Sequence, residues 1–217
     1  MRERRWRATR TAGTVVVSLV ALYAVACVDG GAEERRGGGE RVEAVEREAP
    51  PFDADSAFAL LARQVAFGPR VPGTEGHAAQ LEWMTSYLEA RADTLILQPF
   101  RHTGPEGEVL DMTNLFARFR PGERDRVLLL AHWDTRPTAD HETDPELQDR
   151  PIPGANDGAS GTAVLLQLAD VLSRHSPPIG VDILLTDGED YAPDHMYLGA
   201  KHFAANHPPG YSPLYGI

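Results

Sequence analysis

A single cysteine, Cys27, is all that the 217 residues offer for cross-linking, so no disulfide within the chain can staple the fold. Aromatic residues are scarce, with three Trp, six Tyr and seven Phe, and no apolar run reaches 18 residues. These shortages exclude a multi-span membrane protein and a fibre. Positive charge is also short: 21 Lys and Arg stand against 32 Asp and Glu, a formal net charge of −11. The first 26 residues hold five of the Arg and one Glu, so the remainder carries −15. Such a body repels phosphate backbones and anionic lipid, and nucleic acid is not an expected partner. What remains, 42% hydrophobic and 24% charged, is the composition of a globular domain with a loose segment attached.

Arg2, Arg4, Arg5, Arg7 and Arg10 precede an apolar stretch from Thr14 to Ala26. This charged-then-apolar order is that of an export signal, and the stretch is too short to span a bilayer. It ends Ala24-Val25-Ala26-Cys27, small residues before the lone cysteine. That ending resembles a bacterial lipoprotein signal cut before Cys27; an ordinary signal peptide with a cysteine in its apolar core is the alternative. The expectation is an exported lipoprotein of the cell envelope, held to the membrane by lipid on Cys27. Residues 27–51, rich in Gly and mixed charge, lack the apolar surface to fold and read as a tether. The folded part is expected to span 52–217.

Within it, Asp55 and Ser56 signal a helix start ahead of Phe58, Leu60, Leu61, Val65 and Phe67, and Gly68-Pro69 ends the run. Thr74 caps a second expected helix to about Ala92, with Leu81, Met84, Tyr87 and Leu88 on one stripe. The period then changes. Residues 94–100, 114–119 and 127–132 are β-prone, the last continuously apolar, as a strand buried on both faces should be. A helix is expected over 160–175, another buried strand over 181–185 and a further helix over 196–206. Strands alternating with helices predict an α/β fold, a three-layer sandwich with a mixed, mostly parallel central sheet. In such sheets the reactive crevice lies beyond the carboxyl ends of the strands.

Three polar clusters fall at those ends. His132-Trp133-Asp134 closes the strand VLLLAHWD; residues two apart point the same way, so Asp134 can steady the His132 imidazole behind a metal. A solvated turn is the competing reading. Asp157 lies in GANDGASG, ahead of a helix, where it either caps that helix or presents a carboxylate from a tight turn that Gly154, Gly158 and Gly161 permit. Thr186-Asp187-Gly188-Glu189-Asp190 follows the strand VDILL; three acids in four residues repel one another unless water or a cation neutralises them. Converging on one crevice, these groups make the ligand set of a catalytic zinc site with an adjacent general base.

The segments FGPRVPGTEGH, AHWDTRP, IPGANDGASGTAVLLQLADVL, TDGEDY and YLGAKHF resemble the glutaminyl-peptide cyclotransferase branch of the zinc-dependent M28 peptidase superfamily, from about Phe67 to the last residue. The resemblance implies a zinc-exopeptidase-like fold, Asp157 and Asp190 as zinc ligands and Glu189 as the acid/base residue. It makes His132 a ligand of the second metal in two-zinc aminopeptidases, and a near neighbour of the single zinc in cyclases. Tyr197 to His202 matches a Tyr-Gly-Ser-Arg-His-like stretch of the cyclases, whereas Asp190 stands where the animal cyclases have Glu. It also implies a later strand bearing an Asp and a later His ligand. The chain reaches Ile217 without them, so it is expected to be a C-terminally truncated catalytic domain lacking its final strands.

Two activities follow from the same residues. One is cyclisation of N-terminal Gln on peptides or proteins, with one zinc; the other is aminopeptidase hydrolysis, with two. A non-catalytic anchored binding module is a third reading. His77, His102, His141, His175, His195, His202 and His207 have no partner at ligand spacing and read as surface or helix-face residues. Residues 139–150, ADHETDPELQDR, read as an exposed acidic loop that can attract a substrate's amino group.

Overall fold

The computed structural model describes residues 48–217; the expected signal over 1–26 and nearly all of the tether lie outside the described residues. Four helices run over Ala54–Ala66 (α1), Glu75–Glu89 (α2), Gly161–Arg174 (α3) and Leu198–Asn206 (α4). Seven strands run over Thr94–Thr103 (β1), Val109–Phe119 (β2), Arg126–His132 (β3), Gly180–Thr186 (β4), Asp190–Ala192 (β5), His195–Met196 (β6) and Tyr215–Gly216 (β7). Five form one sheet in the order β1-β2-β4-β3-β7, and β5 and β6 pair separately. The β1/β2 and β2/β4 pairings are antiparallel, the β4/β3 and β3/β7 pairings parallel. The expected mixed α/β architecture is therefore present, with the parallel pairings grouped around β3.

Side-chain alternation divides the sheet into two faces. Leu115, Ala117, Ile183 and Leu185 face α2 and α3, where Met84, Leu88, Leu165 and Leu166 complete the main core. Phe116 and Leu184 point the other way and pack on Phe203 of α4. Helices on both faces make the three layers. The strand β4, buried at all seven positions, is covered on both sides as its apolar run predicts. The equally apolar β3 is not: Leu130 is 45% exposed, because α4 packs over β1, β2 and β4.

Local signals set the helix starts. Asp53, two residues before the expected start, caps α1 by accepting the Ser56 N–H at 3.0 Å, and its carboxylate also takes the Ser56 hydroxyl. The Thr74 hydroxyl accepts the His77 N–H at 3.3 Å, the cap expected for α2.

One charge interrupts β4. Asp182 is fully buried and accepts from Arg126 Nη2 at 2.8 Å and Arg118 Nε at 3.1 Å, with Arg126 Nε as a further donor. Both guanidinium groups reach it from flanking strands. Removing one partner of a buried ion pair strands the other charge, which costs about 3–5 kcal/mol. Asp182→Ala is expected to lower stability by about that amount in urea unfolding, with the slope of the transition unchanged.

Candidate active site

His132 is the last residue of β3, so its side chain leaves the sheet at the carboxyl end of a parallel strand. The Thr162 hydroxyl of α3 donates to its carbonyl at 2.8 Å and fixes the strand end. Nε2 lies 2.8 Å from Asp157 Oδ1 and 3.8 Å from Glu189 Oε2. Nδ1 is buried, 3.4 Å from Asp134 Oδ1, without an aligned hydrogen-bond partner.

Asp157 does not cap a helix. It sits in a single wide turn, Ala155–Ser160, with non-helical angles (φ −94°, ψ 109°), and its side chain remains 57% exposed in front of His132. Two glycines make the turn possible. Gly154 (φ +60°) and Gly158 (φ +91°) occupy the left-handed region, and a Cβ on Gly158 would lie 2.7 Å from the Asp134 carbonyl oxygen. Gly161 has ordinary helical angles (φ −60°) instead. The turn is held from behind by the buried Arg70, whose guanidinium donates to the carbonyls of Pro153 and, at 2.7 Å, Gly154. Burial pulls that guanidinium down to about 10, against the pull of Asp134, which leaves it protonated at neutral pH.

Glu189 and Asp190 follow the end of β4. Asp134, fully buried behind them, accepts the Glu189 N–H at 3.0 Å and the Asp190 N–H at 3.4 Å. Its carboxylate thus orients a turn more directly than it orients the imidazole. Arg136 Nη1 donates to Asp190 Oδ1 at 3.0 Å, and Nη2 of the same guanidinium donates to Asp140 Oδ2 at 2.9 Å.

His132, Arg136, Asp157, Glu189, Asp190 and Tyr197 line one cleft of about 580 Å³. The three sequence clusters therefore open onto one crevice. Burial raises the Glu189 carboxyl above its ordinary value; His132 opposes this, and Asp134, Asp190 and Asp157 add to it. Burial likewise raises Asp190, with Arg136 pulling it back. Burial lowers His132, but Asp134, Glu189 and Asp157 outweigh that and bring it up to about 9. Carboxylates and an imidazole around one opening suit a divalent cation in kind. In number they fall short: among the described residues, no group of three or more His, Cys, Asp or Glu side chains is arranged to hold one ion.

Some partners escape the sequence reading. Arg136 lies two residues past Asp134, and the same alternation that pairs His132 with Asp134 would have flagged it. His77, expected at a surface or on a helix face, does lie on α2, but it is 4% exposed and contacts both oxygens of Asp187, at 2.9 and 3.0 Å. His102 Nε2 and His195 Nδ1 likewise face each other at 2.6 Å. Nothing local links residues about a hundred positions apart.

Residues 114–215 match the profile of peptidase family M28. Over 162 residues the chain is 25% identical to glutaminyl-peptide cyclotransferase of Bos taurus, covering 65% of this chain and 43% of that protein. Two solved structures share the fold at a TM-score of 0.76. One, a Zn-dependent exopeptidase from Parabacteroides distasonis, is 41% identical; the other, the glutaminyl cyclase of Bacteroides thetaiotaomicron bound to N-acetylhistamine, is 38% identical. Each match covers 78% of this chain and 62% of the other. The chain thus spans well under half of the curated relative and about three fifths of each solved one.

The two glycines after Asp157 separate a required backbone from a merely small side chain. Gly158→Ala is expected to destabilise by about 1–3 kcal/mol, because alanine must hold a positive φ and displace the Asp134 carbonyl. Gly161→Ala, whose Cβ would meet only the Ala131 methyl at 3.2 Å, is expected to stay within about 1 kcal/mol of wild type. Paired thermal and urea unfolding of the two variants checks this, and equal losses would contradict it.

Proposed function

We propose that the chain, which matches the profile of peptidase family M28 over residues 114–215 and is similar to glutaminyl cyclases, acts as part of a zinc-dependent glutaminyl-peptide cyclotransferase, which converts N-terminal Gln to pyroglutamate and releases ammonia. The observation that carries this reading is Glu189: its carboxyl is raised by burial, stands in the cleft wall and has its backbone fixed by Asp134.

Asp157 and Asp190 would hold the zinc, with at least one further ligand still required. When bound, zinc polarises the side-chain amide carbonyl of the substrate. The rest of the chemistry belongs to the chain and the peptide. Glu189 takes a proton from the substrate's α-amine, and the nitrogen lone pair forms a bond to the side-chain carbonyl carbon. The bond from that carbon to the amide nitrogen then breaks, and Glu189 returns the proton to the departing ammonia. A carboxyl raised by burial suits both transfers, because it holds a proton more readily than an ordinary carboxyl does. Arg136 steadies Asp190, and the acidic side chains of 139–150 draw the substrate's ammonium group toward the opening. The proposal includes a cell-envelope location with lipid on Cys27, supported by the residue order of positions 1–27.

One observation favours a second reading. His132 stands 2.8 Å from Asp157, an arrangement that suits a second metal and hence an aminopeptidase, in which Glu189 would deprotonate water. The attacking group separates the two. Mass spectrometry of a Gln-initiated peptide incubated with the full-length protein is expected to show loss of one ammonia; release of free Gln would favour hydrolysis, and no change would overturn both. Glu189→Gln is expected to lower kcat by at least ~100-fold with zinc retained. Unchanged turnover would remove Glu189 from the acid/base role.

A further inference from the structure

The acidic turn contains an acid that the proposed chemistry does not use. Asp187 is fully buried, on the side of the turn away from the cleft. Its two oxygens meet His77 Nε2 of α2 at 3.0 and 2.9 Å, and Oδ2 also accepts the Thr113 N–H of β2 at 2.7 Å. The His77 ring stacks on Trp133, with centroids 4.3 Å apart and planes at 22°. Trp133 is itself fully buried, and its indole N–H donates to the Thr113 carbonyl at 3.3 Å. His77, Asp187, Thr113 and Trp133 therefore close a ring of contacts that joins α2 to the middle of β2 and to the segments that follow β3 and β4.

This ring interleaves with the site. Trp133 lies between His132 and Asp134, so alternation sends it to the rear, whereas Gly188 (φ +65°) turns the chain between Asp187 and Glu189 and leaves Glu189 in the cleft wall and Asp187 behind it. Burial raises the Asp187 carboxyl against the pull of His77, with the Thr113 N–H adding to that pull and Asp134 opposing it. On the cleft side Asp134 grips the N–H groups of Glu189 and Asp190; on the rear side Asp187 ties the same turn to a helix. Main-chain N–H groups of Tyr197, Leu198 and Gly199 also hold the carbonyls of Glu189, Gly188 and Asp187 at 2.7–2.9 Å, so the His77–Asp187 pair is the side-chain tie that joins this hydrogen-bonded turn to α2.

The geometry points to His77 and Asp187 as a positioning pair for Glu189: the pair acts through the turn, without touching substrate, and holds the acid/base carboxylate at its working place. This rests on the cyclase reading for its catalytic consequence, but not for its structural one. Small misplacements of a catalytic group cost on the order of 10²-fold in rate, so the effect should reach turnover before binding.

His77→Phe keeps a flat ring for Trp133 and removes the nitrogen; Asp187→Asn keeps the shape and removes the charge. Both are made in the full-length protein and read by amide hydrogen exchange and by kinetics on a Gln-initiated peptide. Exchange at 187–190 is expected to rise by ~10-fold or more while Ile183–Leu185 of β4 stay as protected as in wild type. In the same variants kcat is expected to fall by ~10-fold or more with KM within about 2-fold. Unchanged exchange at 187–190 would overturn the proposal. So would an equal rise across 183–190, which marks general loosening of the core. If the wild-type protein leaves the peptide untouched, the cyclase reading fails, and the exchange comparison still decides whether the pair holds the turn. Should one variant fail to fold, the other carries both measurements.

Discussion

Like charges in a confined space are the constraint on which this structure depends. Asp134, Asp157, Glu189 and Asp190 meet at the carboxyl ends of β3 and β4, and two of them are buried. At an effective dielectric of 20, two unit charges 4 Å apart repel by about 4 kcal/mol, comparable to much of a small domain's stability. The fold answers with cations and dipoles. Arg136 faces Asp190, His132 faces Asp157 and Glu189, and main-chain N–H groups face Asp134. The positive φ of Gly154 and Gly158, and the buried Arg70 that holds the carbonyls of Pro153 and Gly154, serve the same arrangement by bringing Asp157 to the opening. A divalent cation at the opening would neutralise the remaining repulsion.

Much of this was legible in the residue order. A parallel sheet puts its chemistry at strand ends, and His132, Asp134, Glu189 and Asp190 all lie at or just past such ends. The glycines around Asp157 announced an unusual turn. Periodicity reports which face is buried, but not by what. It gave β3 the same pattern as β4, although helix α4 covers only one of them. Partners were less visible still. Asp182, His77 and Asp187 look locally like a misplaced charge, a helix-face imidazole and a solvated acid; their roles come from residues 56 to 110 positions away.

The two proposed chemistries would draw on the same acids and differ in the attacking group and in the number of metals. In cyclisation the nucleophile is the substrate's own amine, so the pocket must fold the Gln side chain back and exclude water. In hydrolysis water must enter and be activated. In the proposed reading the same Glu189 carboxylate would serve either.

Anomalous diffraction at the zinc absorption edge, on crystals of the full-length protein, tests most directly whether the acids assemble around a cation. The account predicts one strong peak within bonding distance, about 2 Å, of both the Asp157 and Asp190 carboxylates. A cleft without such a peak, with Asp190 still paired to Arg136 and Asp157 to His132 in zinc-saturated protein, would contradict it.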